Sequence, residues 1–139
     1  MAQNAYFILA GAICLGTALI QAWLLVGRFA SDEGPLARLI PGKQDLLRSH
    51  IDYLMMAQFL FVFYALYAYF SITPPVWVIA ATCIGSFFNP FAFLWRAVRP
   101  HDVRGAPGGF VPMITVSCIL TTIGYGATAW LLTSAAFAR

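Results

Sequence analysis

Four stretches of this chain contain no Asp, Glu, Lys or Arg: residues 6–26, 53–72, 75–95 and 110–136. At about 1.5 Å of rise per residue, each is long enough as a helix to cross about 30 Å of hydrocarbon. The pattern predicts spanning helices over about 5–28, 46–71, 75–97 and 110–136, within one membrane domain covering residues 1–139. The expected fold class is therefore all-α, an integral membrane four-transmembrane-helix bundle. Polar residues gather between the segments. The first connection carries Arg28, Arg38, Lys43 and Arg48 with Gly34-Pro35 and Pro41-Gly42 as turn signals, which predicts a folded or re-entrant loop. Ser71 to Pro75 forms a short uncharged turn, and residues 96–109 form a loop rich in Pro and Gly.

Within the segments, weakly polar and aromatic side chains fall on faces. Ala10, Cys14, Thr17, Ala18 and Gln21 recur at helical spacing in the first segment, a small-residue face that lets membrane helices approach closely. Gln21 is its one strongly polar group and is expected to make an interhelical hydrogen bond. The second segment, with Asp45 or Ser49 as its expected cap, places His50, Tyr53, Ala57, Phe61, Tyr64 and Ala68 on one stripe, with Asp52 almost opposite. Such a stripe suits either a flat ligand or a packing face. The third segment aligns Gly85, Ser86, Asn89, Phe93 and Arg96, and the Asn89-Pro90 pair reads as a packed kink or as part of a polar site. Ser117, Thr121, Gly124 and Thr128 give the fourth segment a small packing face.

Composition agrees with the bilayer assignment: 61% of residues are hydrophobic, 16% aromatic and only 9% charged, where soluble domains carry about a quarter. The first segment lacks a basic leader and is longer than the apolar part of a signal peptide, so it is expected to be retained. The three cysteines stand one each in the first, third and fourth segments without a Cys-x-x-Cys pair, which argues against disulfide exchange. Basic residues crowd the first and third connections. By the positive-inside rule these loops face the cytoplasm and both termini lie outside, with a bacterial inner membrane as the expected location. Topology thus accounts for the net charge of +3, and no nucleic-acid partner is expected.

The candidate chemistry centres on His50, which stands where a charged loop enters an apolar helix. Ionisable groups at that depth are costly and are functional candidates by default. The predicted topology brings the start of the second segment and the end of the third to one membrane edge, so Arg48, Arg96 and Arg99 share a level. His50 would lie about 3 Å and Asn89 about 10 Å further in. An anionic, flat, metal-bearing cofactor could set its carboxylates among these arginines and its metal against His50, and haem b fits that description. His101, in the third connection, reads as a solvated loop residue.

Arg48-Ser49-His50 followed by Leu54 and Met55, an asparagine 39 residues after the histidine, and a Pro-Gly-rich loop before the last helix resemble the small four-helix family of styrene oxide isomerase and hydroxylaminobenzene mutase. The likeness covers roughly residues 45–130. For this chain it implies haem b held by His50 between subunits of a trimer, with ferric iron acting as a Lewis acid on an epoxide oxygen. His50 matches the axial ligand and Asn89 the asparagine of the third helix. Three positions depart from the pattern: Met56 replaces an asparagine, Phe93 a catalytic tyrosine and Gly85 an aspartate. Tyr53, Gln58 and Ser86 are the polar groups left to compensate.

Three functions remain open from the sequence. The first is a haem-b-dependent isomerase of a small lipophilic epoxide or hydroxylamine-like substrate, with His50 on the metal, Arg48, Arg96 and Arg99 around the cofactor, and Tyr53, Gln58 and Asn89 as catalytic candidates. The second is a haem-carrying or accessory membrane subunit without chemistry of its own. The third is a small four-helix transporter, disfavoured because its only helix-borne carboxylate, Asp52, sits at the mouth of the second segment.

Overall fold

The computed structural model describes residues 2–31, 33–99 and 109–138, and among these there is no strand. A single 3-10 turn (Ala2–Asn4) leads into α1 (Ala5–Ala30), followed by the short α2 (Pro35–Leu39), α3 (Lys43–Tyr69), α4 (Val76–Val98) and α5 (Phe110–Phe137). The four long helices match the four predicted segments within three residues at each end. Each is long and apolar enough to cross a membrane. The first connection is folded around α2, as its turn signals require. His101 lies outside the described residues, as does Arg104, a basic residue of the same connection.

α3 and α4 form the central pair of the bundle. α1 packs along α3 and touches α4, while α5 packs along α4 and reaches α3 at few positions. The core between α1, α3 and α4 holds Phe7, Cys14, Tyr53, Leu60, Tyr67 and Ile79. Large apolar side chains also cover the outside, including Trp23 at 78% exposure and Trp130 at 74%. In water such a surface would drive aggregation, whereas lipid chains solvate it.

The small-residue faces do the packing expected of them. A Cβ on Gly85 would lie 2.6 Å from the backbone nitrogen of Thr121, and one on Gly124 would lie 2.6 Å from that of Thr82. Two glycine–threonine contacts therefore set a close approach of α4 and α5, with Ser117 and Thr128 buried along the same seam. The second segment starts earlier than its candidate caps. Gly42 precedes α3 and no side chain caps it. Asp45 and Ser49 lie inside the helix because each has a partner on another helix, as set out below.

Candidate functional site

The first connection is fastened by backbone acceptors. Arg28, buried near the end of α1, donates from Nε to the Ile40 carbonyl at 2.9 Å and from Nη1 to the Ser31 carbonyl at 3.2 Å. The Gly42 N–H then donates to the Ala97 carbonyl at 2.9 Å, and a Cβ on Gly42 would lie 2.8 Å from Ala97 Cα. Only glycine lets the backbones meet so closely. This contact puts the start of α3 beside the end of α4, the shared edge inferred from topology.

The three arginines at that edge have different surroundings. Arg96 makes a two-pronged ion pair with Asp45, from Nε at 2.9 Å and Nη2 at 2.7 Å, and its guanidinium stacks over Phe110. Arg48 stands 3.6 Å from the same carboxylate with 57% of its side chain exposed. Arg99 is exposed and lies 4.1 Å over the Trp95 ring. Arg96 is thus committed within the chain, and Arg48 and Arg99 offer charge to a ligand at the edge.

One turn deeper, three helices are joined by polar groups. Gln21 of α1 donates from Nε2 to Ser49 Oγ at 3.0 Å, and Ser49 donates onward to the Pro90 carbonyl of α4 at 3.0 Å. All three residues are buried. This is the interhelical bond expected of Gln21, and the Asn-Pro step contributes Pro90's carbonyl to it. Beside it, His50 Nδ1 lies 2.9 Å from the Ala18 carbonyl. A carbonyl only accepts, so Nδ1 must carry a proton, and in the neutral ring it is then Nε2 that holds the lone pair. Most of the His50 stripe packs inward: Phe61 closes over Gly11 of α1 and Tyr53 and Ala57 are buried, while Tyr64 is half-buried and Ala68 exposed. His50 sits half-buried at the end of this packing face.

The three catalytic candidates do not converge. Tyr53 is fully buried against Phe87, and its hydroxyl has no hydrogen-bond partner among the described residues. Gln58 lies exposed on the outer face of α3. Asn89 turns to α5, where its Oδ1 accepts from Cys118 Sγ at 3.8 Å. The structure assembles instead a polar group that sequence spacing missed. Tyr125 of α5 meets Ser86 Oγ at 2.9 Å, donates to Met56 Sδ at 3.2 Å and stands edge-on to Phe63. Its signal was its place beside Gly124: the small face that draws α5 onto α4 carries the neighbouring tyrosine towards α3.

Among the described residues, no group of three or more His, Cys, Asp or Glu side chains is placed to hold a bare metal ion. A lone histidine suits a metal that brings most of its ligands with it, as haem iron does. The larger grooves lie on outer faces, such as one of about 420 Å³ lined by Ile84, Phe88, Pro112, Met113 and Val116. Compared with protein families, with characterised proteins and with solved structures, the chain matches none.

Proposed function

We propose that this chain is a membrane haem-b protein of the isomerase type, acting on a small lipophilic substrate such as an epoxide. The observation that carries the reading is the bond from His50 Nδ1 to the Ala18 carbonyl. Metal-binding histidines characteristically donate their second ring N–H to such an acceptor, which fixes the tautomer and the ring plane. Gln21 and Ser49 hold α1 and α3 in register beside it, so the acceptor and the imidazole stay aligned. Arg48 and Arg99 fit the two carboxylates of haem b at the same edge, while Arg96 remains with Asp45.

His50 would hold haem b through Nε2, and the haem would supply a ferric Lewis acid able to polarise an epoxide oxygen. The chain's own part is to orient His50, to enclose the substrate in apolar surface and to offer polar groups. The Ser86–Tyr125 pair stands beside Met56, at the position where the isomerases that the chain resembles have asparagine, and is the best-placed substitute donor. The core of one chain is filled by Tyr53 and its neighbours, which favours a cofactor at the rim between subunits, in a homo-oligomer that the resemblance makes a trimer. The basic edge faces the cytoplasm of a bacterial inner membrane, with the termini outside.

A second reading, a haem-carrying or accessory subunit without catalysis, draws on the Gly85 contact. The close approach to Thr121 leaves no room for the aspartate that the resembled isomerases carry, and Tyr53, Gln58 and Asn89 point to three different places. Conversion of an aryl epoxide to its aldehyde by haem-loaded protein, lost in His50→Ala, would support the isomerase. Absence of turnover in a haem-loaded protein that co-purifies with larger subunits would support the accessory role instead.

A further inference from the structure

Polarity is left over on the side of the bundle away from His50. Asp52 is half-exposed and has no hydrogen bond or ion pair among the described residues. It follows Asp45 by seven residues and precedes Met56 by four, so at about 100° per residue all three lie within about 40° on one side of α3. Asp45 reaches Arg96 of α4, and Met56 meets Tyr125 of α5. Asp52 therefore faces the gap between α3 and α5, with α4 as its floor. His50 lies about 160° away around the helix, against α1.

The contacts of Ser49 with Pro90 and of Tyr53 with Phe87 set α3 and α4 antiparallel and put Asp52 level with Phe88 and Asn89. Asn89 is half-buried on the side of α4 that carries Ser86 and Arg96. Its Oδ1 has only the long thiol contact with Cys118, and its Nδ2 has no partner among the described residues. Both ends of the gap are closed. At the basic edge stand the Asp45–Arg96 pair and Phe110 packed on Phe93, and at the other end stands Tyr125 with Ser86, Met56 and Phe59. Between these ends a groove of about 420 Å³ runs along α5 past Thr115, Cys118 and Thr122, open on its lipid side.

We infer that this gap binds a small lipophilic amine in its protonated form. An ammonium only donates, and the two groups without full partners offer acceptors, the Asp52 carboxylate and Asn89 Oδ1. Asp52 lies about 10 Å further into the membrane than Asp45, where a lone carboxylate is costly and a neutralising cation is strongly attracted. No basic side chain supplies that cation, because Arg48 and Arg96 both turn to Asp45. Phe59, Phe93 and Phe110 border the gap, and aromatic rings suit both the charge and the apolar body of such a ligand. A neutral lipophile would leave the carboxylate unpaired, and a hard metal ion would find one carboxylate where it needs several oxygen ligands. Nothing in this site depends on a haem at His50.

The test uses the full chain in nanodiscs of zwitterionic lipid, with radiolabelled phenylbutylamine as the probe. Saturable binding is expected, weakened about tenfold or more by Asp52→Asn and about threefold by Asn89→Ala, the scales of a charge-assisted and a neutral hydrogen bond. Asp52→Glu keeps the charge and should retain most of the affinity; a loss as large as in Asp52→Asn would contradict the ion pair. Phenylbutanol has a similar shape without the charge and should not compete. Binding that fails to saturate, that survives Asp52→Asn unchanged, or that phenylbutanol displaces as well as unlabelled amine does, would overturn the inference. His50→Ala should bind the amine as the wild type does, and loss of binding there would reject a separate site.

Discussion

Gly85→Ala is the most exacting test of the packing. The added carbon would lie 2.6 Å from the nitrogen and from Oγ1 of Thr121 and 3.0 Å from its Cα. Backbone atoms cannot rotate away, so α4 and α5 must separate by roughly 0.8 Å to restore an ordinary contact. A gap of that size forfeits about a quarter to a half of each dispersion contact along the seam. Overpacking of this kind costs about 1–3 kcal/mol, against a gain of up to about 1 kcal/mol from replacing glycine in a helix. A net loss of about 1 kcal/mol is expected for Gly85→Ala, and a similar loss for Gly124→Ala. Together they should cost less than the sum, because helices parted by the first already accommodate the second. Gly126→Ala is the control, since a Cβ there meets nothing within 4 Å. Unfolding in mixed micelles, followed by ellipticity or Trp fluorescence, measures all four. The reasoning fails if Gly85→Ala is as mild as Gly126→Ala, or if the double variant is simply additive.

Three further outcomes follow from the polar contacts. Ser49→Ala should cost about 1–3 kcal/mol by stranding Gln21 Nε2 and the Pro90 carbonyl, and adding Gln21→Leu should recover part of that loss in the same unfolding assay. Asp45→Ala should cost about 2 kcal/mol, less than for a fully buried pair because Arg96 retains access to water, whereas Arg48→Ala should cost well under about 1 kcal/mol. Nitrogen-15 NMR of selectively labelled histidine, free of cofactor, should show His50 protonated at Nδ1; protonation at Nε2 alone would contradict its bond to Ala18.

The spans were legible because membrane helices announce themselves by length and apolarity alone. Gln21 was equally plain, since a strongly polar side chain within an apolar segment must find an acceptor or donor. The shared edge of α3 and α4 followed from the alternating topology of the spans, and Gly42 supplies its contact. Other features depend on rotations about helix axes that no periodicity fixes. Asp45 and Ser49 had the composition of caps, but Arg96 and Pro90 offered them better partners than their own helix end did. Tyr53 shared a stripe with His50, yet a stripe on α3 turned against α1 becomes core. Tyr125 came to Met56 and Ser86 only through the close α4–α5 contact, which no single segment reveals.

The absorption spectrum of detergent-purified protein, oxidised and dithionite-reduced, tests the central claim most directly, compared between wild type and His50→Ala after haem-supplemented expression. A Soret band in the wild type that vanishes in the variant is the predicted result. A wild type without the band, or a variant that keeps it unchanged, would contradict the assignment of His50 as the haem ligand.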